Sequence, residues 1–448
     1  METLRTQTSH PTPPMLRMLR VILWILLLLA GAEFVVRGPA RFLSGHPNWN
    51  DLSQNYTASR LWLKGQSPSD PANFVALWKK DGSGSRLELS DIRTHLAPPL
   101  GGLVVLAPIA AFPWKAANIL WMALLMISFT ATVWGLALVA GFRRDELRTL
   151  AFVTGCLALA PFHTGLASGN PSVLVIGLCA VAILAATRRH DVTAGVLFGV
   201  ACSLKPQIGA FLVLYYLVRR RWQLFATAVG CTAGLVLAAA LYLWLRGASW
   251  IHDYLHNARG FVAANRIDDF SSANPGRFAL INLQVPLYSI TGNSRSANLL
   301  AFAIVGLLVC GWFYWVASGK QHRPELLSLA AISIIGLLPV YHRFYDAGLL
   351  VVPLCWCFAQ TIGRAKTIVP IALLLMAPFL VPGAAFLQQA ALNRQIPGAL
   401  IHSRLWDCVV MPHETWALLL LSLVLLCGMR LDRAGASEDL ASEESMIH

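Results

Sequence analysis

The sequence predicts an all-α protein, a polytopic transmembrane helical bundle, and three observations predict it. The chain has 448 residues, of which 56% are hydrophobic and 13% charged, where a soluble domain typically carries about 25% charged residues. Its apolar residues gather into runs at 21–36, 118–142, 224–245, 298–318 and 416–429, each approaching the roughly 20 residues a helix needs to cross the hydrocarbon core. Its basic residues sit at the ends of such runs, as Arg143-Arg144, Arg188-Arg189, Arg219-Arg220-Arg221, Lys320 with Arg323, and Arg364 with Lys366. That placement marks cytoplasmic loops, so the net charge of +13 reports topology and not a nucleic-acid partner. No run alternates apolar and polar residues as a strand would, which argues against an outer-membrane barrel.

From the N-terminus, Arg17 and Arg20 precede the first apolar run, and no small-residue cleavage site follows it. The run reads as a retained span and not a removed signal peptide. Residues 1–18 form a cytoplasmic tail, 19–433 the membrane domain and 434–448 a second, unstructured cytoplasmic tail. With the N-terminus inside, outer loops fall at 37–97, 246–297 and 388–413. Two segments fit the charge rule poorly. Residues 100–142 read as two helices hinged at Pro113 where an odd number of crossings is required, and 192–218 is too short for two spans and too long for one. The count of spans is roughly ten to thirteen. Prolines at 98, 99, 108, 113, 161, 171, 206, 339 and 353 break or start helices, and backbone groups freed at membrane depth need protein or a wet cavity to satisfy them. Nine cysteines, an odd number, lie mostly within apolar runs, as Cys156, Cys179, Cys202 and Cys231 do. They read as small hydrophobes; no metal-ligand spacing and no cofactor motif is present.

Four groups of polar residues stand out against this background. In the first outer loop Leu52, Tyr56, Ser59 and Leu63 recur at helical spacing and Gly65 stops the pattern, which predicts a juxtamembrane amphipathic helix. Asp51 opens it, either as a cap with Gln54 three residues on or as a carboxylate suited to general-base work at the mouth of a cavity. Lys205 has over a dozen mainly apolar residues on each side. At roughly 2.5–3.5 kcal/mol for a charge inside a span, it requires either snorkelling or a phosphate or carboxylate partner. Asn170, within Ser168-Gly169-Asn170-Pro171, starts another span and either lines the same cavity or caps a helix. Finally, Pro339 to Asp346 sets His342, Arg343, Tyr341, Tyr345 and Asp346 in one short turn, which reads equally as aromatic belt or as site.

In this order these pieces resemble glycosyltransferase family 87, membrane enzymes of the GT-C fold that use polyprenyl-phosphate sugars. The resemblance runs through Asp51, Tyr56, Ala58, Gly65 and Pro68, then Pro98-Pro99-Leu100, Phe112-Pro113 and Leu120-Trp121. It continues through Gly169-Asn170, Ala194-Gly195, Gly199, Leu204-Lys205-Pro206-Gln207, Arg219 to Trp222, and Pro339 to His342. The chain departs from the family's pattern at Leu52 and at Pro68-Ser69.

The resemblance implies a GT-C-like bundle that transfers a hexose, mannose first among candidates, from a polyprenyl-phosphate donor to a lipid or glycan acceptor, with inversion. It places the chain in a bacterial inner membrane with the site facing the periplasm, among membrane lipids. Asp51 is then the base, Lys205, Arg60, Arg343 and His342 are cationic contacts for the leaving phosphate, and Tyr56, Asn170 and Gln207 complete the binding residues. A transporter or flippase of lipid-linked sugars, which favours internal repeats, and a lipid-linked glycan ligase or polymerase are the rival readings. No second copy of the Asp51 region is found in the sequence.

Overall fold

The computed structural model describes residues 14–44, 51–81, 99–143, 146–261, 268–318, 325–360 and 364–447. The predicted loops around Lys320 with Arg323, Arg144 and His95 to Pro98 lie outside these, as do residues 1–13. Among the described residues there is no strand, only one isolated antiparallel bridge, Leu280 with Arg343, so the chain is an all-α polytopic bundle.

The first span is α1 (Pro14–Val35). The helix predicted for the first outer loop is α2 (Asp51–Leu63), followed by α3 (Pro71–Lys80). Leu52, Tyr56 and Ser59 are its buried stripe, and Gly65 ends it at φ 70°, a conformation glycine adopts without steric cost. The segment 100–142 does hinge at Pro113, into α4 (Leu100–Ala110) and α5 (Trp114–Val139). At 1.5 Å per residue, α4 is only about 16 Å long, while α5 reaches about 39 Å. Of the two, only α5 is long and apolar enough to cross a membrane by itself.

Next come α6 (Leu147–Ala158) and α7 (Ala160–Ser168), bent by 45° at the break before Pro161. They are followed by α8 (Ser172–Thr187), α9 (Asp191–Leu204) and α10 (Pro206–Val218). The last two resolve the segment 192–218. Lys205, at φ −144° and ψ 85°, breaks the helix because the residue before a proline is kept out of the α region. Each arm is about 20 Å long, short of the ~30 Å core. Arg221 at the end of one arm pairs with Asp191 at the start of the other, Nε to Oδ2 3.0 Å. Both ends of the hairpin therefore lie at one end of the bundle, with Lys205 lifted to its tip.

Two full-length spans follow, α11 (Trp222–Leu245) and α14 (Ser294–Ala317), with α12 (Trp250–Phe261) and α13 (Gln284–Thr291) between them. A second hairpin rises through α15 (Glu325–Ile335), turns at 336–343, and descends through a 3-10 segment (Phe344–Leu350) into α16 (Val351–Ala359). The chain closes with α17 (Val369–Met376), α18 (Gly383–Leu392) and α19 (His413–Ile447). That last helix continues through the stretch after Arg433, where the sequence predicts an unstructured tail.

Among the described residues, five helices are long and apolar enough to cross a membrane, or up to seven if each bent pair is one span. This is fewer than the ten to thirteen expected, because the apolar runs around Lys205 and Pro339 fold as short paired arms. The interior is built from α15, buried at every residue but Glu325, and from α8, buried over most of its length, while α1, α11 and α14 present Leu28, Leu29, Leu237, Trp244, Leu299 and Leu307 outward. Apolar exterior with close-packed interior is what lipid as solvent selects.

Candidate active site

Three chain reversals and the opening of α2 converge at one end of the bundle. Gly169 takes φ 63° and ends α7 in the left-handed conformation that glycine favours at helix ends. Its carbonyl accepts the indole N–H of the fully buried Trp121 at 2.8 Å, so the turn is pinned from the side. Asn170 and Ser172 follow it, buried at the start of α8. Lys205 stands at the tip of the first hairpin, and His342, Arg343 and Asp346 form the turn of the second.

Hydrogen bonds join these pieces into one network. Asn170 donates its amide Nδ2–H to Asp51 Oδ2 at 2.5 Å. Its Oδ1 accepts from the backbone N–H of Ser172 at 2.9 Å and lies 2.6 Å from Ser172 Oγ. These contacts fix which way the amide points. Ser172 Oγ also lies 2.5 Å from Asp346 Oδ1 and accepts from Lys205 Nζ at 2.8 Å. Lys205 Nζ donates to Asp346 Oδ1 at 2.7 Å and sits 4.8 Å from the centre of the Tyr345 ring. The other carboxylate oxygen, Asp346 Oδ2, is 3.2 Å from both His342 Nδ1 and the backbone N–H of Arg343. An ionised carboxylate only accepts, so His342 Nδ1 carries a hydrogen. His342 Nε2 and Arg343 Nε are buried without a partner among the described residues.

Asp346 and His342 are completely buried and Lys205 is 11% exposed at its side chain. The lysine therefore does not snorkel; a carboxylate neutralises it where it stands. Asp51 is perturbed as well. Burial raises its carboxyl above the usual carboxylate range, opposed by the Asn170 hydrogen bond and by the charges of Arg343 and Lys205.

Two residues expected at the site are committed elsewhere. Arg60 donates to the Phe112 carbonyl at 3.0 Å and to Tyr56 Oη at 2.6 Å, and pairs through Nε with Asp81 at 3.0 Å. Tyr56 donates to the same Phe112 carbonyl at 2.9 Å and packs edge-on against Trp114. Together they clamp α2 to the α4–α5 hinge, where carbonyls freed around Pro113 need donors. Gln207, on the first turn of α10, makes no hydrogen bond to the cluster among the described residues. Conversely, Ser172 and Asp346 are central; the sequence did not single out Ser172, and it set Asp346 in the candidate turn without giving it a role. The signal available for Asp346 was its place four residues after His342.

Fold and cluster together define a polytopic membrane protein with a charge-paired polar site inside its bundle. The model of glycosyltransferase family 87 matches residues 98–341, more than half of the chain, and the chain belongs to that family. It is a membrane glycosyltransferase. Asn170, Ser172 and Lys205 lie within the matched stretch; Asp51 precedes it, and His342 to Asp346 follow it directly. No curated protein and no solved structure matches the chain.

Proposed function

We propose that the protein transfers a hexose, mannose first among candidates, from a polyprenyl-phosphate donor to a hydroxyl of a lipid or glycan acceptor, with inversion. On this reading the bundle is of GT-C type, lies in a bacterial inner membrane and opens its site to the periplasm. One observation carries the reading: the Asp51 carboxylate opens the same hydrogen-bonded cluster that holds Lys205, His342 and Arg343.

Asp51 accepts the proton of the acceptor hydroxyl. The oxygen attacks the anomeric carbon from the face opposite the phosphate. The bond from that carbon to the phosphate oxygen breaks, and the electron pair leaves on polyprenyl phosphate as a monoester. Asn170 aims the base, since its amide is locked by Ser172 with its N–H toward Asp51 Oδ2. The leaving phosphate needs donors that are not already spent. Arg343 Nε is buried without a partner and takes that role; His342 Nε2, equally unpartnered, carries no hydrogen when the ring hydrogen is on Nδ1 and accepts from a substrate hydroxyl instead. Lys205, bound to Asp346 and Ser172, contributes its charge from beside them. Arg60 is withdrawn from the phosphate contacts, because its guanidinium is committed to Phe112, Tyr56 and Asp81.

The test is transfer from radiolabelled polyprenyl-phosphate hexoses in proteoliposomes, comparing the wild type with Asp51→Asn. Removing a positioned general base lowers the rate by roughly 10²–10⁴, with the variant still folded. Transfer by Asp51→Asn at close to the wild-type rate would remove Asp51 from the mechanism.

A further inference from the structure

We propose that the groove between the N-terminal parts of α1 and α6 binds one anionic glycerophospholipid, its phosphate held by Arg20 and Arg17 and its acyl chains laid along the apolar walls below. The inference needs only that the chain lies in a bilayer; it does not depend on the reaction proposed above.

α1 and α6 run side by side in the same direction. Arg20 and Leu147, near their starts, flank one hollow, while Gly38, just beyond α1, lies against Leu166 of α7, the continuation of α6. Their burial is uneven along that length. α1 is buried only at Ala30 and Phe34, and α6 only at Phe152 and Cys156. Before those residues the helices stand apart. Two adjoining hollows of about 350 and 280 Å³ open between them, sharing Arg20, Trp24 and Leu147.

The groove is one stripe from each helix. Arg17, Arg20, Trp24 and Leu27 follow one another at spacings of three and four, the repeat of a helix face, and Leu147, Leu150 and Val153 face them from α6. Polarity is graded along α1. Leu27 lies about 10 Å deeper than Arg20 at 1.5 Å per residue, a distance that passes from the headgroup layer into hydrocarbon. The deep end is apolar, with Leu27, Leu150 and Val153 as its walls. Half-exposed Trp24 stands at the boundary, where indole rings gather. The shallow end is cationic: two guanidiniums against the carboxylate of Glu146, which pairs with Arg148 at 3.1 Å. A guanidinium presents a fork of donors that matches phosphate oxygens. A free phosphate would use the arginines and leave the deep end uncovered where water is absent. A zwitterionic lipid would bring its ammonium toward the second arginine. A net-negative glycerophospholipid satisfies both ends.

Native mass spectrometry of the full chain, delipidated in an uncharged detergent, measures retention of palmitoyl-oleoyl phosphatidylglycerol against phosphatidylcholine of the same chains, with inorganic phosphate as competitor. The wild type is expected to hold one phosphatidylglycerol more tightly than phosphatidylcholine, without displacement by millimolar phosphate. Combining Met18→Arg with Arg20→Met keeps the charge at the start of the span, and with it the insertion signal. It moves one guanidinium off the groove, since exposed Met18 lines neither hollow. Affinity for phosphatidylglycerol should fall roughly 10- to 100-fold, while that for phosphatidylcholine holds. Leu150→Trp fills the deep end without touching a charge and should weaken phosphatidylglycerol binding as well; if it fails to fold, Val153→Phe takes its place. Loss in the exchanged variant with none in the filled one would mean diffuse attraction between basic residues and anionic headgroups, and would overturn the groove as a site. Displacement by millimolar phosphate would leave an anion site only and overturn the lipid. Phosphatidylglycerol that binds only after residues 2–13 are removed would give the groove to the chain's own N-terminal segment. A filled variant that turns from dimer to monomer with no lipid effect would give it to a second copy. Either result overturns the inference.

Discussion

Replacing Lys205 by Met tests the pairing on which the site is built. The substitution keeps length and makes the hairpin tip more apolar, so a simple hydropathy argument expects better insertion. The structure predicts the opposite. Asp346, completely buried, loses the ammonium 2.7 Å from its Oδ1, leaving it the Ser172 hydroxyl, the His342 ring and one backbone N–H. Breaking a buried pair by removing one partner costs about 3–5 kcal/mol, or roughly 10²–10⁴-fold in the folding equilibrium at 1.4 kcal/mol per tenfold. Asn at 346 retains hydrogen-bonding capacity without the charge, so Lys205→Met combined with Asp346→Asn should recover most of that loss while remaining slow in transfer. The assay is a double-mutant cycle read from unfolding of the purified protein in mixed micelles with increasing SDS. A Lys205→Met single variant that unfolds at the wild-type SDS fraction would show that the pair carries no such energy, and the account of the cluster would fall with it.

Three further outcomes follow from the same geometry. The pH–rate profile should lose activity on its acid side above the pH at which an ordinary aspartate would protonate, because burial raises the Asp51 carboxyl. The folded state then holds the proton more tightly than the unfolded one, so stability falls as pH rises from the unfolded value through the raised one, and Asp51→Asn should flatten that fall in an unfolding titration against pH. Gly169→Ala should cost stability and lower transfer together: a β-carbon there meets the Phe42 ring at a φ of 63°, and the displaced turn carries Asn170. Single cysteines at Lys64 and Gln223, both exposed, test sidedness in a background without other thiols; an impermeant maleimide on intact cells should label 64 and not 223, and the reverse pattern would invert the topology.

Much of the local structure was legible because local rules made it. The stripe Leu52, Tyr56, Ser59 and the stop at Gly65 became α2, and the hinge at Pro113 became the α4–α5 turn. Lys205 stood out as a charge needing a partner. The partner itself is 141 residues away in the chain, and nothing in one-dimensional spacing joins them. Where Arg60 sits was illegible for a related reason: the Phe112 carbonyl that it bonds is a backbone group, which a sequence cannot advertise as a ligand. The expected span count exceeds the five to seven long apolar helices among the described residues because hydropathy sees an apolar run but not its length after folding. The runs flanking Lys205 are apolar over 191–218, yet Pro206 divides them into arms of 14 and 13 residues that return to the same end.

The charge balance of the cluster gives the proposed chemistry its direction. Asp51 and Asp346 oppose Lys205 and Arg343, so the site is close to neutral before any ligand enters, which is how a low-dielectric interior tolerates four ionisable groups. A polyprenyl-phosphate sugar brings one negative charge, and cleavage of the sugar bond raises the charge on the departing phosphate. The proton that Asp51 takes from the acceptor offsets that rise within the same network, because Asn170, Ser172 and Asp346 connect the base to Lys205 without an intervening solvent gap. On this reading the base remains protonated until the phosphate departs, and the raised Asp51 carboxyl favours that product state. A variant that keeps Asp51 but severs the link, such as Ser172→Ala, should therefore slow turnover more than it weakens donor binding. Equal losses in kcat and in donor affinity would instead make Ser172 a simple brace.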